Sequence, residues 1–519
     1  MHARRDRRAD GRHPRSVAES PRFDVFVVAV AAVAATVYSL HGFQGKLTRD
    51  AGIYAYAGQQ VADGVPPYLG VLNRAGPLAH LVPGLGAWAA RVVDIDDLLG
   101  IRVLFMCIST ACVAATYCLG RDLFSSRATG LVSAATFLGF VGFIGHATYG
   151  PRDKTVMVLF LTLSLIAMTR RRWLWAGGWL AMATLVLQVV AFVGGPALLA
   201  AALLTGEDRR DRLRALGMAV VGGLIPFVAI TAWFAAVGAL HEFADGYLLI
   251  NAEYTVPSPV SDDPAKVLES LARGYRASLP LLAAGLVATV GLGGRALFSP
   301  GDDKSRGPLV GLALGVLGGL GWTSRDFDAW PDAYILLPLA AVGVGGALHL
   351  LLRRLDPRVL VAVVLVWCCA LTGLALEKSL RGNDRLVAQR AAVRSVLGAL
   401  PDDATILSIE APQPLVLLGQ TNPTRYQMFS KGLQHWMDDN WPGGLAGYRK
   451  WIVARHPTLV VTKSANGRWG RSIGESYFLV GCAPGWAWYA DRSLPPETIR
   501  ALGRARTRPC GQATEQSVE

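Results

Sequence analysis

The sequence predicts a polytopic α-helical membrane protein of about eleven transmembrane helices with a C-terminal extracytoplasmic α/β domain. Three observations lead there. Hydrophobic residues make up 52% of the 519 and charged residues only 17%, whereas soluble domains carry roughly a quarter charged. The apolar residues gather in runs that approach the about 20 residues a spanning helix needs. Beyond residue 378 the character changes, and the runs shorten to β-type segments bounded by Pro, Gly and Asp.

The first span is 23–43, FDVFVVAVAAVAATVYSLHGF, behind a tail with arginines at 4, 5, 7, 8, 12 and 15. The positive-inside rule places that tail in the cytoplasm. The small residues of the run also fit a signal peptide, and under either reading the chain after residue 43 lies outside. Further spans are expected at 98–119, 128–147, 155–169, 173–190, 192–205, 214–238, 278–297, 308–322, 332–352 and 359–376. The stretch 173–205 also reads as a re-entrant pair.

The connecting loops agree with this count. Loops 120–127, 170–173, 206–214, 299–307 and 353–358 are short and basic, as cytoplasmic loops should be. The outer segments are then 44–97, 148–154, 239–277, 323–331 and the chain after about 378. This gives a cytoplasmic basic tail (1–22), a transmembrane domain (23–377) with a long outer loop (44–97), and an extracytoplasmic α/β domain (378–519). The Arg- and Ala-rich composition points to a high-GC bacterium, so the expected location is the bacterial plasma membrane, multi-pass, with the N-terminus cytoplasmic.

The net charge of +13 sits mostly in short clusters between apolar runs, without nucleic-acid motifs or interleaved aromatics. No nucleic-acid partner is expected; membrane lipid is. In the C-terminal part, 402–410, 424–429, 458–463, 477–482 and 486–492 read as strands. Residues 384–400 read as an amphipathic helix with Leu386, Val393, Val396, Leu397 and Leu400 on one side. Five cysteines fall within apolar runs and read as packing residues. Cys482 and Cys510 lie in the C-terminal part, where a disulfide and two free thiols are equally good readings. No cysteine spacing suggests zinc.

The outer loop 44–97 carries LTRDAGIYAYAGQQVADGVPPYLG at 47–70. It predicts a helix at the membrane surface, with Asp50 as N-cap and an apolar stripe of Ile53, Ala57 and Val61. Gly64 and the Pro66–Pro67 pair end it. Residues 77–92 form a second apolar segment, suited to the interface with Trp88 at headgroup depth. Asp50 has two readings, a cap or a functional carboxylate at a membrane boundary. Asp153 meets the same boundary where a later span begins, and also suits a helix N-terminus. Two acids on one face, flanked by Arg49, Arg152 and Lys154, suit an anionic, sugar-like or phosphate-bearing ligand. Glu242, Asp245, Glu253, Tyr254, His80 and His241 read as interfacial. Arg325, Asp326, Asp328 and Asp332 read first as a local ion-pair cluster. Trp486, Trp488 and Tyr489 either pack a strand or stack on sugar rings.

The stretch RDAGIYAYAGQQVADGVPPYLGVLNRAGPL resembles the first extracytoplasmic loop of the GT-C superfamily of membrane glycosyltransferases. More narrowly it is similar to bacterial family-39-like enzymes related to protein O-mannosyltransferases and aminoarabinose lipid A transferases. Their pattern runs roughly D-E-x-x-Y-A-x-x-G-x-x-L-x-x-G-x-x-P-Y, followed by acid-x-Lys-x-Pro-Leu. Asp50, Tyr54, Gly58, Gly64, Pro67 and Tyr68 match it. The segments GALHEFADGYLLINAEYT and WPDAYILLPLAA, and the C-terminal LPDDATILSIEAPQPLVLLGQTNPTRYQMF, resemble later parts of such chains. The departures are Ala51 at the second acid, Ala75 at the lysine, and Ala333 where relatives often carry His.

The resemblance implies an inverting transfer of a sugar from a polyprenyl-phosphate-linked donor to an envelope glycan, lipid or protein acceptor. It implies that Asp50 is the catalytic acid/base and Asp153 the second acid. Arg74, one place from the missing lysine, is a candidate for donor phosphate, as are Arg152 and Lys154. Arg49, Tyr54, Tyr68, Arg102 and Tyr334 complete the candidate binding set. No cofactor is required, and a divalent metal stays open because relatives differ. Two alternatives stand: a lipid-linked-sugar transporter or translocase, and a non-catalytic binding member of the same fold. Transporters usually place ionisable groups mid-bilayer in broken spans. Here the acids gather at one face, and Arg102 is the main charge within a span.

Overall fold

The computed structural model describes residues 24–204, 206, 208–298, 303–505 and 510. The basic tail expected at 1–22 lies outside these residues. All eleven stretches expected to span are helical: α1 (Val25–His41), α4 (Asp97–Phe124), α5 with α6 (Arg127–Leu138, Val141–Tyr149), α7 (Asp153–Thr169), α8 (Trp173–Thr184), α9 (Ala191–Leu204), α10 (Arg209–Ala236), α13 (Leu279–Phe298), α14 (Asp303–Arg325), α15 (Leu337–Leu352) and α16 (Pro357–Ser379). Six helical runs among the described residues are each long and apolar enough to cross a membrane. The α5–α6 pair, bent by 70°, adds a seventh if it counts as one span, and α1 and Gln188–Leu204 are shorter apolar helices. The chain is a multi-pass membrane protein.

The helices approach closely where side chains are smallest. A Cβ at Gly177 of α8 would lie 1.8 Å from Ala219 O of α10, and one at Gly222 of α10 would lie 1.9 Å from Leu174 O of α8. Without a hydrophobic force between helices in lipid, such backbone contact supplies the packing.

The segment 44–97 folds into α2 (Arg49–Ala62) and α3 (Leu78–Val92). The N-cap of α2 is Thr48, whose Oγ1 accepts from Ala51 N at 3.2 Å, so Asp50 does not fill the expected cap position. A threonine one residue before the helix reaches the third amide, which leaves Asp50 free in the first turn. α2 is covered by protein, with residues 51–60 all buried. One side packs on α3, where a Cβ on Gly58 would meet Pro83 Cβ at 2.7 Å, and the other faces the C-terminal part, where Gly52 meets Pro412. His80, expected at the interface, is fully buried and its ring lies 5.2 Å from that of Tyr68, because α3 folds back beneath α2. Beyond α10, α11 (Leu240–Phe243) runs into a π-helical segment, Ala244–Tyr254, followed by the amphipathic α12 (Pro264–Tyr275).

The C-terminal domain is a four-stranded sheet of β1 (Ile406–Ile409), β2 (Leu459–Thr462), β3 (Tyr477–Ala483) and β4 (Trp486–Asp491), in the order β1-β2-β4-β3. The β1–β2 pair is parallel and the other two antiparallel. Successive residues of β2 serve two cores. Leu459 and Val461 join the core shared with the membrane helices, and Val460 packs in a second one with Tyr448 and Ile452. The run 424–429, expected as a strand, joins no sheet. Its backbone is used singly instead: Gln427 O accepts from Glu410 N, and Arg425 O accepts from Leu72 N, which ties the domain to the segment 44–97. Cys482 and Cys510 are joined in a disulfide, with Cα atoms 5.0 Å apart.

The helix expected at 384–400 is α17 (Arg385–Leu397), with Leu386, Val393 and Val396 buried as the periodicity requires. Gln389 is buried on the same side. Its amide accepts from Leu47 N at 2.8 Å and donates to Leu47 O at 3.0 Å and Pro484 O at 2.8 Å. The domain is therefore clamped to the strand of chain that leads into α2.

Candidate active site

Asp50 and Tyr54 are four residues apart on α2 and so project from one face. Arg152 precedes α7, and Asp153 is its first residue. These four side chains form one chain of contacts. Asp50 Oδ2 lies 2.6 Å from Arg152 Nη1, Arg152 Nε lies 3.8 Å from Asp153 Oδ1, and Tyr54 Oη donates to Asp153 Oδ2 at 2.8 Å. Arg49 adds a second cation, 3.4 Å from Asp50 Oδ1, and reaches Glu410 Oε1 at 3.9 Å at the end of β1. Asp153 is 5% exposed. The Asp50 side chain keeps 39% exposure, directed into a cavity rather than bulk solvent.

That cavity has a volume of about 980 Å³. The chain before α8 contributes Arg49, Asp50, His146 and Arg152, later connecting segments contribute 257–273 and 327–331 in part, and the C-terminal domain contributes Gln413, Lys463, Trp486 and the disulfide. Such a volume lies at the upper end of ordinary ligand pockets.

Burial alone would raise the Asp50 pKa, but Arg152, Arg49 and Lys154 together outweigh it and hold the carboxyl well below its usual range. Burial likewise opposes the charge on Arg152, and Asp50 and Asp153 reverse it, so its pKa is raised. Asp50 is a carboxylate and Arg152 a guanidinium throughout the neutral range.

The other sequence candidates sit as follows. Lys154 ion-pairs with Asp332, whose second oxygen accepts from Asp328 N and Ala329 N. Tyr334 is buried, donates to Gly142 O at 2.6 Å and lies 3.0 Å from His146 Nδ1. Arg102 is fully buried on α4. Its guanidinium donates to the carbonyls of Phe43, Gly45, Tyr149 and Gly150, which joins the chain just after α1 to the turn before Arg152. Tyr68 and Arg74 belong to a second cluster around the π-helical segment. There Tyr68 donates to Ala75 O at 2.8 Å, Arg74 to Thr255 Oγ1 at 3.4 Å, and Asn251 to Arg74 O at 2.8 Å.

Among the described residues no three His, Cys, Asp or Glu side chains converge as a metal-ligand set. Asp50 and Asp153 are bridged by Arg152, so these two carboxylates do not offer a divalent metal a shared site. Sequence reasoning missed Gln389, Glu410 and Gln413. A polar residue on the apolar stripe of 384–400 was the available signal for Gln389; the other two had none.

No protein-family model matches the sequence, and no curated protein does. Solved structures do. The structure of ArnT from Cupriavidus metallidurans bound to undecaprenyl phosphate superposes with a TM-score of 0.63 at 13% identity, over 90% of this chain and 98% of that one. The Archaeoglobus fulgidus oligosaccharyltransferase superposes at 0.53 and 14% identity, over 91% of this chain and 75% of that one. The arabinofuranosyltransferase AftD from Mycobacteria superposes at 0.50 and 14%, over 92% of this chain and 40% of that one. At such identities the likeness is one of fold: the chain has the fold that these three structures share.

Proposed function

We propose that this chain is an integral membrane glycosyltransferase that passes a sugar from a polyprenyl-phosphate-linked donor to a cell-envelope acceptor at the outer membrane face. The observation that carries the reading is the Asp50–Arg152 pair, 2.6 Å apart and opening into the cavity between membrane helices and C-terminal domain. The structure of ArnT with undecaprenyl phosphate supports the donor class.

The layout follows from where the donor sits. Its polyprenyl tail stays in lipid, so the anomeric carbon is held at the interface. An acceptor hydroxyl attacks that carbon on the face away from the phosphate, the new C–O bond forms as the bond to phosphate breaks, and the configuration inverts. The hydroxyl proton passes to Asp50, and the lipid phosphate leaves with an added negative charge that Arg152 meets bidentately. Arg49 and Lys154 stand beside it. Asp153, held by Tyr54, positions Arg152.

Arg152 links the two halves of this reaction. While it sits on Asp50, the carboxylate is a weak base. The donor's phosphate is already anionic, so its binding begins to draw the guanidinium from Asp50; as charge grows on the leaving phosphate the shift completes, and Asp50 gains basicity while the attacking hydroxyl becomes acidic. In the same reading the N-terminus is cytoplasmic and the C-terminal domain faces outward from a bacterial plasma membrane. The Cys482–Cys510 disulfide supports that sidedness.

The test is turnover of polyprenyl-phosphate sugars by the wild type and by Asp50→Asn. Loss of a general base lowers the rate by about 10²–10⁴; unchanged turnover overturns the assignment. Donor binding without wild-type turnover would favour a non-catalytic member of the fold.

A further inference from the structure

His146 lines the same cavity as Asp50 and Arg152, and the proposed transfer leaves it without a role. It lies on α6, one turn after Gly142. Tyr334 Oη touches both residues, and that oxygen carries a single proton. Gly142 O, 2.6 Å away, is a carbonyl and can only accept, so the proton goes there. The 3.0 Å contact between Tyr334 Oη and His146 Nδ1 then takes its proton from the ring. A histidine is mostly uncharged at neutral pH. A neutral ring with hydrogen on Nδ1 carries its lone pair on Nε2, so Tyr334 sets the tautomer.

Nε2 has no hydrogen-bond partner among the described residues and is not sealed by protein, so it is left for the cavity that the residue lines. The ring is held in place. Trp330 stands edge-on to it with ring centres 5.0 Å apart. Trp330 is itself wedged: a Cβ on Gly274 would fall 2.3 Å from its Cγ, and one on Gly142 would fall 3.1 Å from its Cζ3. An acceptor fixed at a cavity wall and unused by the protein suits an O–H or N–H of a ligand. The charged groups whose fields reach His146 are Arg152, Asp50 and Lys154. Arg152 is the group proposed to meet the donor phosphate, and the donor's sugar is bonded to that phosphate.

We infer that His146 binds the donor sugar, its Nε2 accepting a hydrogen bond from a hydroxyl of the sugar carried on the polyprenyl phosphate. Tyr334 acts behind it as a positioning residue that fixes which nitrogen accepts. The site thereby selects against a donor whose hydroxyl at that place is removed or methylated. This deepens, and rests on, the glycosyltransferase reading.

The test is calorimetric titration of the full-length protein in detergent with undecaprenyl phosphate and with undecaprenyl-phosphate mannose, arabinose and glucose. It compares the wild type, His146→Asn and His146→Gln. Asn places its amide where Nδ1 stands, so it keeps the bond to Tyr334 and deletes the cavity acceptor. Gln reaches to where Nε2 stands, so it keeps an acceptor at the cavity and gives up the bond to Tyr334. For the loaded donor that the wild type binds best, His146→Asn should weaken binding about fivefold or more, as loss of one hydrogen bond does. His146→Gln should stay within about twofold of the wild type. Undecaprenyl phosphate, which has no sugar, should bind all three proteins alike and so reports that each is folded. Unchanged loaded-donor binding in His146→Asn, an equal loss for loaded and bare lipid, or a loss in His146→Gln as large as in His146→Asn would overturn the assignment and leave the donor reading standing. A wild type that binds no loaded donor would overturn the donor reading, and this inference with it.

Discussion

Asp50 Oδ2 rests 2.6 Å from Arg152 Nη1, across 102 residues of sequence and between the first turn of α2 and the residue before α7. The carboxylate proposed to take a proton is thus held by the cation proposed to meet the phosphate. One pair cannot serve both partners fully at once, and this competition has a pH signature.

The Asp50 pKa is depressed from its ordinary 3.8 in the folded protein. A depressed acid contributes stability that is fully present above its unfolded value and is lost as pH falls from there through the folded value. Asp50 therefore adds a constant amount between pH 5 and 8 and unfolds nothing there. Activity should differ. The free enzyme, seen in kcat/KM, keeps Asp50 paired, while the bound complex, seen in kcat, has Arg152 drawn to phosphate. The acid limb of kcat should then lie at higher pH than that of kcat/KM. Coincident limbs would remove the competition for Arg152.

Gln389 holds both backbone groups of Leu47, three residues before Asp50, and also Pro484 O. Gln389→Ala leaves these buried groups unsatisfied, at about 1–3 kcal/mol each for those that water cannot reach. The expected outcome is a lower melting temperature together with a fall in kcat that exceeds any rise in KM. A variant with wild-type kcat would show that the clamp does not position Asp50.

Gly58 is where α2 meets α3. A Cβ there would fall 2.7 Å from Pro83 Cβ and 2.8 Å from Pro83 C, which is backbone that cannot rotate away. Gly58→Val should destabilise by about 1–3 kcal/mol through overpacking, read as a shift in thermal unfolding. It should also reduce turnover, since α2 carries Asp50 and Tyr54. Gly64→Val tests the neighbouring turn for comparison: its Cβ would meet nothing within 4 Å, but its φ of +84° is one only glycine adopts readily.

These arrangements were unevenly legible in the sequence. The spans read well because apolar runs and basic loops state them directly. Asp50 and Tyr54 share a face by their spacing, and Arg152 and Asp153 are neighbours, so half of the site is written locally. The cap was misplaced because Thr48 and Asp50 are both good capping residues, and only the backbone decides which reaches Ala51 N. The run 424–429 has strand composition, yet its carbonyls go one at a time to Leu72 and Glu410, which no local pattern encodes. Gln413 reaches the cavity, and Glu410 reaches Arg49, only through docking of a domain some 360 residues away in sequence from α2. Composition marks them as ordinary polar residues.

Arg102 separates a structural role from a binding one. Its sequence position inside a span suggests a phosphate ligand, but its guanidinium is spent on the carbonyls of Phe43, Gly45, Tyr149 and Gly150. These carbonyls sit at the two turns that deliver Asp50 and Arg152, so Arg102 acts as a positioning residue. Arg102→Leu removes the donors and leaves buried carbonyls bare, with an expected loss of about 2–5 kcal/mol when summed over those sealed from water. Arg102→Lys keeps the charge, but one ammonium does not span four carbonyls, so it should recover only part of the stability. Among molecules that remain folded, kcat should fall and undecaprenyl phosphate affinity should hold. A direct phosphate contact would give the opposite pattern: an unchanged melting temperature, weaker undecaprenyl phosphate binding in Arg102→Leu, and recovery of that binding in Arg102→Lys.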